Sequence, residues 1–117
     1  MAAKTAIILI DPYNDFLHPK GKLFGGLEAS LKENDTINHF KQLVSIARAH
    51  KIPIYYCLHQ QYHEGFASGW KHMTELHKMQ MESKSFEAGS WGVEILEGLE
   101  PKIENGDVIV SKHWNSR

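Results

Sequence analysis

The sequence predicts an α/β fold, in which a parallel sheet carries flanking helices, on the strength of two observations. Three short apolar runs have the length and composition of buried strands: residues 5–10, Ile54–Leu58 and residues 108–110. Between the first two runs, apolar residues recur three and four positions apart, as they do on one face of a helix. The order strand, helix, strand is typical of a βαβ unit with parallel strands. We therefore expect a sheet of three strands that forms part of a larger α/β sheet.

The first half of the chain contains a strand, a long connection and a helix. The run of residues 5–10 is continuous and ends at Asp11, which predicts a strand that is buried on both faces. Residues 12–32 are rich in proline and glycine and are interpreted as a long loop, a kind of segment that often carries function. A helix is expected to begin near Asn34 or Asp35 and to end before Pro53, with an apolar stripe made of Ile37, Phe40, Val44 and Ala47.

The second half has a less regular pattern. Residues 59–92 show no clear period, and the charged stretch of residues 71–83 is predicted to be either a helix or a flexible flap. Residues 93–99 are predicted to form a short amphipathic helix, which has to end before Pro101. A turn at residues 105–107 then leads into the third strand.

Composition excludes several classes of function. The formal net charge is −1, so there is no electrostatic basis for binding nucleic acid or an anionic membrane. The longest apolar run, residues 6–10, is far too short to span a membrane, and we expect no signal peptide before it. Cys57 is the only cysteine, which excludes an intramolecular disulfide framework. We expect a cytoplasmic protein whose partner is a small-molecule substrate.

Two charged residues stand where parallel sheets carry their chemistry. Asp11 follows the first strand and Lys112 follows the third. Functional groups collect outside the carboxyl ends of parallel strands, and strands lie about 5 Å apart, so these side chains can face one cleft. A carboxylate beside an ammonium group is a suitable general base. An aspartate at a strand end is also a common turn residue, so position alone leaves both roles open.

Three motifs make the prediction specific. Residues 10–16 read Ile-Asp-Pro-Tyr-Asn-Asp-Phe, residues 89–95 read Gly-Ser-Trp-Gly-Val-Glu-Ile, and residues 106–113 read Gly-Asp-Val-Ile-Val-Ser-Lys-His. In order and spacing they resemble the motifs of isochorismatase-like hydrolases, a family within the cysteine hydrolase superfamily. The resemblance covers nearly the whole chain and implies a Rossmann-like parallel sheet.

The resemblance also implies a Cys–Asp–Lys triad acting on a small amide or a related metabolite. Asp11 matches the proton acceptor, and Lys112 matches the cation that stabilises charge. The family's cysteine lies some tens of residues after the lysine, beyond Arg117 in this sequence. Residues 1–117 are therefore expected to be the N-terminal part of a single hydrolase domain, inactive without the segment that carries the nucleophile. Cys57 lies inside a predicted strand and does not match the catalytic position, so we interpret it as a packing residue.

The family resemblance leaves two other functions open. Isochorismatases themselves lack the cysteine, and their aspartate protonates a vinyl ether. A truncated relative can also persist as an inactive interaction or assembly partner. A homo-oligomer, or a complementary C-terminal chain, is the expected partner.

Two other folds are excluded by single residues. A response-regulator receiver needs an acidic residue at the end of its middle strand, and Leu58 stands there instead. A haloacid-dehalogenase-type phosphatase needs a second aspartate two residues after Asp11, where this sequence has Tyr13.

The remaining candidates concern the substrate pocket and metals. Phe16, His59 and Trp91 are candidate pocket residues, because aromatic walls are common in such sites. Related nicotinamidases bind a metal through an Asp-x-His pair, but Cys57 takes the place of that aspartate before His59. We therefore predict no metal and no other cofactor. The remaining tryptophans and histidines have expected roles at the surface, with Trp70 and Trp114 in subunit contacts and His72 and His77 in solvent.

Overall fold

The computed structural model describes residues 4–113 as one three-stranded parallel sheet with helices, as the sequence predicts. The strands are β1 (Ile7–Ile10), β2 (Ile54–Leu58) and β3 (Val108–Ser111). β2 lies in the middle, and its register places Tyr55 between Ile8 and Val108. Both pairings are parallel, so all three strands end at the same edge of the sheet. Trp114 lies outside the described residues.

Within residues 4–113, four α-helices and two 3-10 helices connect and flank the strands. They are α1 (Asn14–Leu17), α2 (Phe24–Glu33), α3 (Thr36–Ala49) and α4 (Glu75–Ser83), with 3-10 turns at Trp91–Val93 and Ile103–Asn105. α3 matches the predicted amphipathic helix and packs Val44 and Ala47 into the core. No helix in the described range is long and apolar enough to cross a membrane.

The core lies between α3 and one face of the sheet. Leu9, Ile54 and Tyr56 project from the strands into it, and Leu96 and Leu99 close it from the later loop. The opposite face of the sheet is open, since Ile8 is 63% exposed and Ile10 is 61% exposed. The prediction that the first strand is buried on both faces is therefore wrong for the described residues, because α3 covers one face only.

Two local predictions are also wrong. Residues 12–32 contain α1 and α2 rather than a continuous loop, although Gly25 and Gly26 lie in the first turn of α2. Glycine there costs only about 1 kcal/mol each, and burial of Phe24 opposes that cost. Residues 93–99 do not form an amphipathic helix. Their backbone instead pairs with the segment after β1, where Leu96 donates to the carbonyl of Pro12 and Asn14 donates to the carbonyl of Glu94.

A buried ion pair joins α3 to the start of β3. The guanidinium of Arg48 lies 2.7 Å from Oδ2 of Asp107, whose side chain is fully buried. The same carboxylate accepts the backbone N–H groups of Ile54 and Lys102, at 2.9 and 2.8 Å. Burial alone would raise the pKa of Asp107, but these hydrogen bonds, that of Arg48 first, outweigh it and lower the pKa to about 2.

This shifted pKa predicts a loss of stability in acid. The folded pKa of Asp107 lies below its ordinary value of 3.8, so its stabilising contribution is present above pH 3.8 and is lost as the pH falls toward 2. The loss is expected to be about 2 kcal/mol of the free energy of unfolding. Urea denaturation at a series of pH values measures it, with Asp107→Asn as the control that lacks this titration. Equal acid dependence in the two proteins would contradict the assignment.

Candidate active site

Asp11 and Lys112 meet at the edge of the sheet where the strands end. Nζ of Lys112 lies 2.9 Å from Oδ2 of Asp11, although the two residues come from the outer strands. Backbone hydrogen bonds hold both in place, since Asp11 donates to the carbonyl of Cys57 and Lys112 donates to the carbonyl of Leu58. Their side chains are only 15% and 18% exposed, so the pair is largely withdrawn from solvent.

The two oxygens of Asp11 have different surroundings. Oδ2 accepts the hydrogen bond from Lys112, whereas Oδ1 is buried and has no hydrogen-bond partner among residues 4–113. The ammonium group fixes the direction of the carboxylate, and the second oxygen keeps its lone pairs available. A carboxylate in this state can take up a proton from a reacting group.

The backbone of Asp11 is in the left-handed region, with φ of 53°. Few non-glycine residues adopt this conformation, and aspartate is among those that tolerate it. It turns the chain out of β1, and the N–H of Tyr13 then donates to the carbonyl of Asp11 at 2.7 Å. Such conformations concentrate at functional sites, which is consistent with a site at this strand end.

Asp11 lies on the wall of a cavity of about 480 Å³. This volume falls within the usual range for small-molecule sites. Helices α1, α2 and α4 and the loops after β1, β2, α1 and α4 form the wall. Most of it is apolar, consisting of Phe16, Leu23, Leu27, Leu76, Met79 and Phe86. The polar side chains among its lining residues are those of Asp11, Lys22, His59, Gln80 and Ser85.

Phe86 is the centre of the aromatic part of this wall. Its ring centroid lies 4.8 Å from those of both Phe16 and His59, and 5.5 Å from that of Tyr13. Its backbone has a φ of 58°, which is unusual for a bulky residue. The buried carboxylate of Asp15 accepts the N–H of Phe86 at 2.8 Å and supports this conformation.

Asp15, like Phe86, has a role that the sequence did not reveal. Besides Phe86, it accepts the N–H of Lys22 at 3.1 Å, so one side chain ties together two loops that line the cavity. Gly92 leaves room for it, since a Cβ added at Gly92 would lie 2.5 Å from the carboxylate. Packing against Asp15 therefore explains why the motif at residues 89–95 has a glycine at position 92.

Tyr13 positions the next candidate residue, His59. The buried hydroxyl of Tyr13 donates to the backbone carbonyl of His59 at 3.0 Å. Burial raises the pKa of Tyr13 to about 12, despite a hydrogen bond with Gln61 that lowers it. Tyr13 therefore stays a neutral donor in physiological conditions, and it holds the His59 loop against the end of β1.

The structure brings most, but not all, of the predicted site residues together. Asp11, Phe16 and His59 line the cavity, and Lys112 joins them through its contact with Asp11. Trp91 is not among the lining residues, because it packs edge-on against the ring of His18, 4.7 Å away, and is 42% exposed. Cys57 does not line the cavity either, since its place in β2 is beside Ile10 and Val110, on the face opposite α3.

His77 lies in the interior, contrary to the expectation that it is solvated. It is 1% exposed, and its Nδ1 accepts the N–H of Thr74 in a reciprocal cap at the start of α4. Burial, with a smaller contribution from His59, lowers its pKa and favours the neutral ring that this cap requires. Among residues 4–113, no three histidine, cysteine or acidic side chains are grouped as a metal site would need.

Comparison with known proteins identifies the family. The model of the Isochorismatase domain matches residues 5–116, which is nearly the whole chain. The chain belongs to the isochorismatase family. Among curated proteins, no match to this isochorismatase-family chain was found.

Solved structures agree with this fold. A cysteine hydrolase from Pseudomonas syringae pv. phaseolicola 1448A is 24% identical with a TM-score of 0.63, and 93% of the chain covers 46% of that protein. N-carbamoylsarcosine amidase from Thermoplasma acidophilum is 21% identical with a TM-score of 0.57, and 95% of the chain covers 53% of it. The isochorismatase-family chain thus spans about half the length of these structures.

Proposed function

We propose that this chain supplies the acid–base half of a Cys–Asp–Lys hydrolase that acts on a small amide or a related metabolite. Asp11 acts as the general base, and Lys112 orients it and stabilises developing negative charge. The observation that carries this proposal is the 2.9 Å contact between Nζ of Lys112 and Oδ2 of Asp11 at the wall of a largely apolar cavity.

The nucleophile is proposed to come from a polypeptide segment other than residues 1–117. Cys57 is the only cysteine in the sequence and does not line the cavity. In the proposed reaction, a cysteine sulfur adds to the amide carbon as its proton passes to Oδ1 of Asp11. The C–N bond then breaks, the amine leaves with that proton, and water hydrolyses the thioester.

The choice of an amide as substrate rests on the family and on the structural neighbours. Structural neighbours include an amidase and a cysteine hydrolase, both of which share this fold. Hydrolysis of a vinyl ether without a cysteine remains the alternative chemistry within the family, since the aspartate serves either reaction. We further propose a cytoplasmic location, because the single cysteine provides no disulfide.

The test starts from the native assembly, purified from source cells through a tag on this chain. Intact mass spectrometry identifies its polypeptides, and ammonia release from small primary amides measures its activity. We expect a cysteine-containing polypeptide and a turnover that iodoacetamide abolishes. Cys57→Ser is the matched control, and this variant should keep both the turnover and the inhibition by iodoacetamide. A lone mass of 13.4 kDa without turnover would contradict the hydrolase proposal. Hydrolysis of a vinyl ether by an assembly that has no second cysteine and releases no ammonia would favour the alternative chemistry.

A second candidate function, assembly with another polypeptide, is favoured by the open face of the sheet. Ile8, Ile10, Tyr55 and Val110 form an exposed apolar surface there, and in the described range no strand pairs with the outer edge of β1. Exposed surfaces of this kind mark interaction sites. The occupant we propose is a complementary C-terminal half of the same family, because the chain spans about half of its structural neighbours. A second copy of this chain is the other outcome that the mass measurement distinguishes.

A further inference from the structure

Gln80 on α4 has an orientation that its surroundings determine. The residue is 4% exposed, and its Nε2 donates to the carbonyl oxygens of Gln60 at 2.9 Å and Ser85 at 3.4 Å. Because two acceptors hold the nitrogen, the oxygen has to occupy the other position of the amide. That oxygen, Oε1, is buried and accepts no hydrogen bond from residues 4–113.

A buried acceptor without a donor is rare in folded proteins, and each case calls for a reason. Gln80 lines the same cavity as Asp11, whose Oδ1 is also buried without a partner in the described range. The cavity thus holds two unsatisfied acceptors. The lysine of the cavity wall, Lys22, is engaged elsewhere, since its Nζ donates to the carbonyl of Lys84 at 2.9 Å. A ligand that enters the cavity would supply the missing donors.

The two acceptors suit different protons. Oδ1 of Asp11 is the proposed acceptor of the proton that moves during the reaction, because its partner oxygen is fixed by Lys112. A neutral amide oxygen is a far weaker base, so Oε1 of Gln80 suits a proton that stays on its own atom. An N–H group of the substrate supplies such a proton, and the apolar wall around it suits a hydrocarbon substituent.

We propose that Gln80 is a specificity-determining residue that accepts a hydrogen bond from an N–H group of the substrate. The substrate class is then an amide or urea that keeps at least one N–H and carries an apolar or aromatic substituent. This inference rests on the proposed function, since it takes the cavity as the substrate site. It selects amides over esters of the same shape, because an ester leaves Oε1 buried and unpaired.

The test compares N-methylbenzamide with methyl benzoate, which have the same shape and differ in the N–H group. Binding of each to the 117-residue chain is measured by NMR titration, which needs no nucleophile. We expect the amide to bind about tenfold more tightly than the ester. Gln80→Met removes the acceptor and should reduce this ratio to near one. Gln80→Glu loses the same two donated hydrogen bonds but keeps an acceptor, so it should retain the preference.

The outcomes separate this inference from the function on which it rests. An unchanged preference for the amide in Gln80→Met would overturn it, as would equal losses of preference in both variants, which indicate a structural role alone. Failure of both ligands to bind, or of the amide alone, would overturn it as well. Selective binding by the chain, together with an assembly that has no amidase activity, would support the role of Gln80 while removing the proposed reaction.

Discussion

Asp11→Asn and Lys112→Ala are each expected to reduce kcat of the complete hydrolase roughly a thousandfold, as expected when a positioned proton acceptor is lost. Asparagine keeps the shape of the side chain but cannot take up the proton. Alanine at position 112 removes the contact of 2.9 Å that holds Oδ2, so the carboxylate loses its fixed direction. The measurement is ammonia release by the native assembly with each variant in place of the original chain.

Matched variants distinguish a catalytic role from damage to the fold. Asp35→Asn and Lys32→Ala make the same chemical changes at exposed positions outside the cavity, and both should keep normal turnover. The circular dichroism of all four proteins should be the same. Because the proposed mechanism makes Asp11 and Lys112 act together, the double variant should be little worse than either single one. Near-normal turnover in Asp11→Asn or Lys112→Ala would remove the site assignment.

Asp15→Ala is expected to lower the free energy of unfolding by about 3 kcal/mol, because one buried and one part-buried backbone donor lose a charged acceptor. These donors are the N–H groups of Phe86 and Lys22. Without the carboxylate, the N–H of Phe86 loses its acceptor in a left-handed conformation, so the aromatic wall of the cavity should also loosen. Urea denaturation measures the change in stability.

Two controls make this second prediction specific. Asp15→Asn keeps one oxygen acceptor and should lose less stability than the alanine variant. Glu28→Ala removes an exposed carboxylate that pairs with Lys32, and a pair of this kind contributes at most about 1 kcal/mol. If Asp15→Ala were no more destabilising than Glu28→Ala, the network around Asp15 would not hold the loops together.

The fold and the position of the charged pair could be predicted because local patterns determine them. Short apolar runs separated by a periodic helix indicate a parallel sheet, and such a sheet brings its strand ends to one edge. Asp11 and Lys112 follow two of those strands, so the sequence predicts that they lie at the same edge of the sheet. Their catalytic role stays a prediction until turnover is measured.

The rest of the site depends on contacts between distant segments. Phe86 and Gln80 lie in the stretch without a clear period, and only tertiary packing places them beside Asp11. The glycines of α2 resemble loop residues, because helix propensity alone does not include the burial of Phe24.

The ion pair of Asp107 could not be predicted either. Asp107 was interpreted as a turn residue, and the one available signal was its position as an acidic residue directly before a predicted strand. Its partner Arg48 is 59 positions away.

β3 differs from the other strands in what keeps it attached. All four of its residues are exposed, so β3 is held by its backbone hydrogen bonds to β2 and not by the burial of its side chains. Lys112 comes directly after this ladder, and the bond from its N–H to the carbonyl of Leu58 is the rung nearest the ammonium group. Segments of this kind open at a lower free energy than the whole molecule. Fraying at this end would withdraw the positive charge while the helical layer and the carboxylate remain folded, so the proposed catalytic pair would depend on a weaker part of the molecule than overall stability does.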